Sequence, residues 1–333
     1  MLRLPRFGVV TPSTVEEVLA LLSEHGKDAR LLAGGTDLVP NLKHRIEEPK
    51  LLVSLVRLSQ LSGIRRLDDG SLEIGGMSKL FDIAAHEAVR QQAPALAAAA
   101  ACVASPQIRN MATLGGNVLL DTRCRYINQT HFWRKSLGFC LKKDGTLCHV
   151  VAGGKKCVAA ASSDTVPALM TLGAKVKLVS TEGSRELAVD ALYKNDGIKH
   201  VVVRPDELLV SVIVPAQAKG HRGAYEKLRD RGAIDFPELG LAVRLDVQDD
   251  CVTDVDIAVT ALQARPKRVT RVADLIVGKA ARGPAFKDAA ERVAERAFAQ
   301  CHPMPNLPGD SDYRQEMVRV LCRRALFAAA GQN

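Results

Sequence analysis

The N-terminal half of the chain carries apolar residues both at helical spacing and in short continuous runs. After Thr14, apolar residues recur at helical spacing behind two glutamates, which predicts a helix capped by Ser13 or Thr14 and ended by Gly26. A short apolar run then precedes Gly34-Gly35, a pattern that predicts a strand, a glycine turn and the start of a helix. The remaining apolar segments predict strands at 31–33, 51–58 and 71–80, and a helix at 80–104 interrupted near Pro94.

The C-terminal half divides at Pro215, where a proline and a polar stretch predict a boundary. Before this boundary, the pattern predicts a helix and then strands, in segments 162–180, 200–203 and 207–215. After it, the pattern predicts an antiparallel sheet covered by amphipathic helices, in segments 224–247, 251–262, 286–301 and 311–330. The elements together predict a fold of the α+β class.

Composition excludes several classes of protein. The chain has 333 residues, 47% of them hydrophobic, which is enough for two or three packed domains. No apolar run is long enough for a signal peptide or a membrane span, so we expect a cytoplasmic protein with reduced thiols and no membrane association. The formal charge is +9, but aromatic residues make up only 4% and most basic residues are dispersed, which disfavours nucleic-acid binding.

Two Gly-Gly pairs, Gly34-Gly35 and Gly115-Gly116, are the first chemical signal. Adjacent residues without Cβ let backbone N–H groups converge and let a bulky anion approach closely, which suits a pyrophosphate. Neither pair has the G-x-G-x-x-G spacing of a Rossmann dinucleotide site. Taken alone, each pair is typical of an ordinary tight turn.

Four of the eight cysteines lie within 121–161, separated by fifteen, seven and eight residues. In a cytoplasmic protein, such a group favours metal binding over disulfides, yet it contains no C-x-x-C pair. Four thiolates can hold zinc or an iron–sulfur cluster, or remain unligated, and spacing alone does not separate these cases. The other cysteines are predicted to be small buried residues, namely Cys102, Cys251, Cys301 and Cys322.

The residues around the glycine pairs resemble a known family. "LLAGGTDLVPNL", the later "ATLGGN", "SSDTVPALMTLGAKVKLVS" and "ELLVSVIVP" resemble the FAD-binding subunits of the xanthine oxidase family of molybdenum hydroxylases, over nearly the whole chain. The resemblance implies a two-subdomain α/β FAD-binding module followed by a C-terminal antiparallel sheet with helices. It implies a module at 1–217, with subdomains 1–56 and 57–217, and a C-terminal domain at 218–333.

The same resemblance implies which residues bind FAD. The two glycine loops would wrap the pyrophosphate, Asp164 would lie near the adenosine ribose, and Leu209 and Lys227 would lie near the flavin. The loop residues are Leu32, Ala33, Gly34, Gly35, Thr36 and Asp37 in the first loop, and Thr113, Gly115, Gly116 and Asn117 in the second.

The cysteine-rich segment 121–161 is longer than the family's usual connection and is interpreted as an insertion. "DTRC", "YINQ", "GFCLK", "CHVV" and "KC" resemble the β subunits of 4-hydroxybenzoyl-CoA reductases, which carry a 4Fe-4S cluster besides FAD. The resemblance implies a metal site formed by Cys124, Cys140, Cys148 and Cys157. The chain itself offers no pair of residues that demands a catalytic site.

The resemblance also implies a place in an enzyme complex. Electrons from reduced ferredoxin would pass through the cluster and FAD to a large molybdopterin subunit, which would dehydroxylate 4-hydroxybenzoyl-CoA to benzoyl-CoA. A small subunit with two 2Fe-2S clusters would complete a heterotrimer, and two heterotrimers would form a dimer. Two alternatives remain open: the FAD subunit of a molybdenum aldehyde oxidoreductase, and a zinc-stapled module without enzymatic function.

Charge is concentrated around the clustered thiols. Segment 121–161 contains eight Lys or Arg residues and two Asp residues. These cations could stabilise an anionic cluster from within the protein, or dock an acidic ferredoxin from outside. We hypothesise that Lys142, Lys143, Lys155 and Lys156 mainly dock the donor.

Overall fold

The computed structural model describes residues 2–332 and begins with a small parallel sheet of strand order β1-β3-β2. The helix predicted after Thr14 is confirmed, because the Thr14 side chain accepts a hydrogen bond from the Glu17 backbone N–H and Gly26 ends the helix. A short helix, α2, follows the first glycine loop. The elements of this unit are β1 (Gly8–Val10), α1 (Val15–His25), β2 (Ala29–Leu32), α2 (Leu38–Lys43) and β3 (Leu51–Ser54).

A five-stranded antiparallel sheet forms the next unit, with strand order β4-β5-β8-β6-β7. Its strands are β4 (Ile64–Arg66), β5 (Leu72–Gly75), β6 (Lys175–Ser180), β7 (Gly183–Ala188) and β8 (Leu208–Val214). Strand β7 escaped the sequence analysis because it is a largely exposed edge strand without apolar alternation. The strand predicted at 200–203 is wrong, since this segment contributes only an isolated bridge between Tyr193 and Val201.

Short helices connect the strands of this second unit. The helix predicted at 80–104 is divided into three, and the last of them has Pro94 at its first position, where proline is tolerated. The helices are α3 (Leu80–Ala85), α4 (Glu87–Gln92), α5 (Pro94–Ala101), α6 (Pro106–Arg109), α7 (Leu114–Val118), α8 (His131–Ser136) and α9 (Thr165–Thr171). Helix α8 belongs to the cysteine-rich insertion. Single 3-10 turns occur at Gly26–Asp28, Ser59–Leu61 and Val189–Leu192.

The C-terminal part is a four-stranded antiparallel sheet with helices, which confirms the predicted architecture and both predicted helices. The short strand at Lys267–Arg268 and the short helix at Ala273–Ile276 were not predicted. Its strand order is β12-β11-β10-β9. The elements are β9 (His221–Leu228), β10 (Leu239–Gln248), β11 (Cys251–Thr260), β12 (Lys267–Arg268), α10 (Ala273–Ile276), α11 (Pro284–Gln300) and α12 (Ser311–Ala329). Strands β10 and β11 are joined by Asp249 and Asp250, both in the left-handed region, as a tight hairpin requires.

The C-terminal sheet is covered on both faces. One face packs against α11 and α12 in an apolar core. From the other face, Tyr225, Ala242 and Ala258 join the core that contains α5 and α9. Helix α5 packs on β9 and helix α9 packs on β10 and β11, while the Tyr225 hydroxyl of β9 donates to Asp164 at the start of α9. None of the helices in the described part of the chain is both long and apolar enough to span a membrane.

Candidate functional site

The two glycine loops lie against each other and against β5. A Cβ on Gly34 would lie 2.0 Å from the Met111 carbonyl oxygen, so the first loop touches the segment that leads into the second. A Cβ on Gly115 would lie 2.9 Å from the Gly76 carbonyl oxygen, which accepts a hydrogen bond from the Gly115 N–H at 2.8 Å. Gly34 therefore permits the close approach of the first loop to the segment before the second, and Gly115 permits the close approach of the second loop to the end of β5.

The other glycine of each pair has a different task. Gly35 has φ +71°, a conformation that favours glycine. The Gly116 N–H donates to the Thr113 hydroxyl at 3.2 Å, so Thr113 caps α7. Leu32, Ala33 and Thr36 are half-buried in the first loop. The sequence predicted that the two loops form one site. It did not predict that one glycine of each pair permits close backbone packing while the other shapes the loop or the helix start.

Asn117 connects the second loop to the start of α9. Its Oδ1 accepts hydrogen bonds from the Ser163 hydroxyl at 2.7 Å, the Thr165 hydroxyl at 2.7 Å and the Thr165 N–H at 3.2 Å. All three residues are buried. Asn117 thus holds the second loop in place from within the protein.

Asp164 and Lys227 form a buried ion pair with 3.0 Å between Nζ and Oδ1, their side chains 3% and 2% exposed. The Tyr225 hydroxyl also donates to Asp164 at 2.7 Å, and Lys227 donates to the Cys102 carbonyl at 3.0 Å. Burial raises the pKa of Asp164, against the lowering influence of Lys227. The resemblance implies that Asp164 lies near the adenosine ribose and Lys227 near the flavin. Because they touch, they cannot serve opposite ends of an extended cofactor.

Leu209 is buried on β8, and its backbone packs against Gly76, where an added Cβ would lie 2.6 Å from the Leu209 carbonyl oxygen. Gly76 in turn contacts the second loop through Gly115. Leu209 therefore lies close behind the glycine loops.

The carboxylate of Asp37 is held within the protein. Arg123 donates to it at 3.1 Å and Asn41 at 2.9 Å. Burial raises the pKa of Asp37, and Arg123 opposes that rise. The Arg123 guanidinium also lies 3.7 Å from the centroid of the Phe236 ring. The first loop is thus tied to the start of the insertion.

All four clustered cysteines line one shared pocket, which we call the thiol cavity. Cys124, Cys140 and Cys157 are buried and Cys148 is half-buried. Burial, together with the smaller influence of the three other cysteines, raises the pKa of the Cys124 thiol to about 11. Burial also raises the pKa of the Cys157 thiol. The cavity is also lined by Tyr126, Ile127, Leu141, Lys142, His149, Val150, Val158 and Ala159.

The thiols do not converge as ligands of one ion would. Within residues 2–332, no group of three or more His, Cys, Asp or Glu side chains is arranged to hold a metal ion. Ile46, Ile127 and Ala159 form an apolar cluster with three of the cysteines. Apolar side chains thus enclose the space that the thiols share.

The remaining four cysteines differ in their exposure to solvent. Cys301 and Cys322 are buried in the C-terminal core, as predicted, and Cys102 is half-buried. The prediction for Cys251 is wrong, because this residue is exposed at the start of β11, next to the hairpin.

The cations of the insertion are not all available to solvent. Lys142 is 8% exposed, and its ammonium donates to Asp121 at 2.8 Å and to the Gly197 carbonyl at 2.8 Å. Its predicted role on a docking surface is therefore wrong. Lys143 is half-buried beside Asp144, whereas Lys155 and Lys156 are exposed.

Sequence reasoning missed three residues that organise the site: Arg123, Arg134 and Tyr225. Tyr225 could have been found, since strand alternation places it on the same face of β9 as Lys227. The arginines gave no local signal, because their partners come from distant segments.

Two protein families match the chain. Residues 5–217 match the FAD binding domain in molybdopterin dehydrogenase, and residues 223–329 match the CO dehydrogenase flavoprotein C-terminal domain. The fold is thus that of a flavoprotein subunit. The chain belongs to the FAD-binding subunits of the molybdopterin dehydrogenase (xanthine oxidase) family, of the CO dehydrogenase medium-chain type.

Individual relatives agree with this assignment. The carbon monoxide dehydrogenase medium chain of Hydrogenophaga pseudoflava is 31% identical over 326 residues, 98% of this chain and 97% of that one. The aldehyde oxidoreductase FAD-binding subunit PaoB of Escherichia coli K12 is 31% identical over 293 residues, 85% of this chain and 87% of that one.

A solved structure confirms the fold. Carbon monoxide dehydrogenase from Hydrogenophaga pseudoflava, in a form lacking the Mo-pyranopterin moiety, superposes with a TM-score of 0.80 at 29% identity, covering 99% of both chains. The predicted fold class and FAD as cofactor are confirmed.

Proposed function

We propose that this chain is an electron-transfer subunit that carries a 4Fe-4S cluster on Cys124, Cys140, Cys148 and Cys157 in addition to FAD. The observation that carries the proposal is the shared cavity: four thiols of one insertion, spread over more than thirty residues of sequence, line the same space. A cavity lined by four cysteines and otherwise mostly by apolar side chains is the setting that iron–sulfur clusters occupy.

The arrangement of the thiols favours a cluster over zinc. Four ligands of one zinc ion must converge on a point about 2.3 Å from each sulfur. Each ligand of a four-iron cluster binds a different corner, so its cysteines stand further apart. Cysteines that line one cavity without forming a single-ion site among the described residues support the second case.

The residues of the two glycine loops and their hydrogen-bond partners would bind FAD by positioning backbone N–H groups. Gly34 lets the first loop approach the second, and Gly115 lets the second loop pack on β5, so that backbone N–H groups of both loops can face a pyrophosphate. Asn117 fixes the second loop and Arg123 fixes the first. When bound, FAD exchanges electrons singly or in pairs and so joins one-electron clusters to two-electron chemistry.

We assign the chain to a 4-hydroxybenzoyl-CoA reductase, a cytoplasmic complex with a molybdopterin-containing large subunit and a small 2Fe-2S subunit, assembled as a dimer of heterotrimers. Reduced ferredoxin would supply electrons at the thiol cavity, and the substrate would bind on the large subunit. The support for this assignment is the run of residues around the four cysteines, from "DTRC" to "KC".

A second function is favoured by a specific observation. The chain is 31% identical to an aldehyde oxidoreductase FAD-binding subunit, so an aldehyde-oxidising complex is the alternative. The two are separated by anaerobic assay of the intact complex. Reduction of 4-hydroxybenzoyl-CoA to benzoyl-CoA with reduced ferredoxin, without oxidation of aromatic aldehydes, is the expected result. Aldehyde oxidation without activity on the thioester would overturn the assignment.

A further inference from the structure

Helix α2 directly follows the first glycine loop, and arginines of the insertion hold both of its ends. At its start, the Arg123 Nη1 donates to the Asp37 Oδ1 at 3.1 Å. Beyond its end, the Arg134 Nη2 donates to the carbonyl oxygens of His44 at 2.7 Å and Arg45 at 3.0 Å. The insertion, which carries the four thiols, therefore also holds α2, the helix that follows the first glycine loop.

Both arginines are themselves fixed. The Arg123 N–H donates to the Ala160 carbonyl at 2.8 Å, and the Ala160 N–H donates back at 2.7 Å, so the two ends of the insertion are paired. Arg134 is 1% exposed, and its carbonyl accepts from the Phe139 N–H at 2.8 Å. Arg123 immediately precedes Cys124, and Phe139 immediately precedes Cys140. Arg123 is therefore the direct chain neighbour of Cys124, and Arg134 is hydrogen-bonded to the chain neighbour of Cys140.

Packing makes the same connection. Ile46, three residues after the end of α2, lies in one apolar cluster with Cys124, Cys140 and Cys157. Helix α2 has only six residues, and the Asp37 side chain does not cap it, since its carboxylate is engaged by Arg123 and Asn41. A helix this short is not stable by itself, so its position depends on such tertiary contacts.

We propose that Arg123 and Arg134 are positioning residues for the first FAD loop, and that FAD affinity therefore depends on the folded state of the thiol insertion. This inference rests on the proposed function, because it joins the FAD site to the proposed cluster site. Loss of Arg123 would leave the half-buried Asp37 carboxylate without its cation, and loss of Arg134 would free the segment after α2.

The test is a titration of the deflavinated full-length protein with FAD, followed by quenching of flavin fluorescence. We expect Arg123→Met and Arg134→Met each to raise the Kd at least about tenfold, a loss of about 1.4 kcal/mol of binding free energy. Arg123→Lys should restore part of the affinity, because it returns a cation to Asp37. The matched control is Arg125→Met, at an exposed arginine of the same insertion, which should bind FAD as the wild type does.

A double variant tests whether Arg123 acts on FAD binding through Asp37. If Arg123 acts through Asp37, then Arg123→Met combined with Asp37→Asn should lose no more affinity than the weaker-binding single variant. Circular dichroism shows whether each variant is folded, and Arg123→Gln replaces the methionine variant if that one is not. Wild-type affinity in folded variants of both arginines would overturn the inference. A wild-type protein that fails to bind FAD would overturn the proposed function instead.

Discussion

Gly34 lies directly against the Met111 carbonyl oxygen, where an added Cβ would be only 2.0 Å from that oxygen. The two loops that we propose to bind FAD are thus joined by a backbone contact that only glycine allows. The contact explains why residues far apart in sequence act as one site.

Substitution of Gly34 tests this relationship. Gly34→Ala must push the two loops apart, so we expect FAD affinity to fall at least about tenfold and the melting temperature to fall by several degrees. Gly232→Ala is the matched control, because a Cβ there meets nothing within 4 Å. Isothermal titration with FAD and thermal unfolding measure both effects. Equal affinity in the two variants would show that the loop contact does not position FAD.

The buried ion pair between Asp164 and Lys227 predicts a pH-dependent loss of stability. In Lys227→Met, burial raises the pKa of Asp164 without the opposing lysine, so this carboxyl ionises more readily in the unfolded state. The folded state then binds more protons than the unfolded state, and stability falls as pH rises above the unfolded pKa of Asp164. We expect the variant to lose about 3–5 kcal/mol at neutral pH and less near pH 5.

Thermal unfolding between pH 5 and pH 8 measures this dependence. The control is Lys227→Met combined with Asp164→Asn, which has no carboxylate at position 164. Its loss of stability relative to the wild type should depend less on pH. A Lys227→Met defect of the same size at every pH would contradict the ion-pair account.

The cysteine variants test the proposed ligand set. Cys140→Ser or Cys148→Ser should remove or degrade the cluster, whereas Cys251→Ser, at an exposed position outside the cavity, should keep all its iron. From the sequence alone, FAD is expected to survive these changes. Because the insertion holds α2, we now expect weakened FAD binding as well. Iron content that persists in both ligand variants would refute the ligand set.

Docking of the electron donor should depend on Lys155 and Lys156 rather than on Lys142. Replacing the two exposed lysines with Gln should slow reduction by ferredoxin about threefold to tenfold at low ionic strength and flatten its salt dependence. Lys287→Gln, on the surface of α11, is the control for a general change in charge. Stopped-flow kinetics with an unchanged salt slope in the double variant would assign these charges an internal role.

The elements that could be predicted are those whose signals are local. Helix α1 has its cap and its apolar spacing within one short segment, and the strands of the C-terminal sheet alternate clearly. Strand β7 could not be predicted, because an exposed edge strand carries no apolar pattern. The helix predicted at 80–104 breaks at Pro94, where its interruption was predicted, and also before Glu87, where the sequence gives no signal of a break.

The candidate site shows the same division. The glycine pairs and the four cysteines could be identified from residue type. The side chains that hold the surrounding segments in place could not. Arg123 and Asp37 are 86 residues apart, and Lys227 and Asp164 are 63 apart. The charge of Lys142 indicates a solvent-facing position. Its side chain is nevertheless buried, and its ammonium donates to the Gly197 carbonyl, 55 residues away in sequence. Such pairs are set by tertiary structure alone.

The most direct test of the central claim is the metal and sulfide content of the anaerobically purified chain. The account predicts about four iron atoms and about four acid-labile sulfides per chain alongside one FAD, with the iron lost in Cys140→Ser. Stoichiometric zinc without iron or sulfide, or a chain whose thiols are all free, would contradict it.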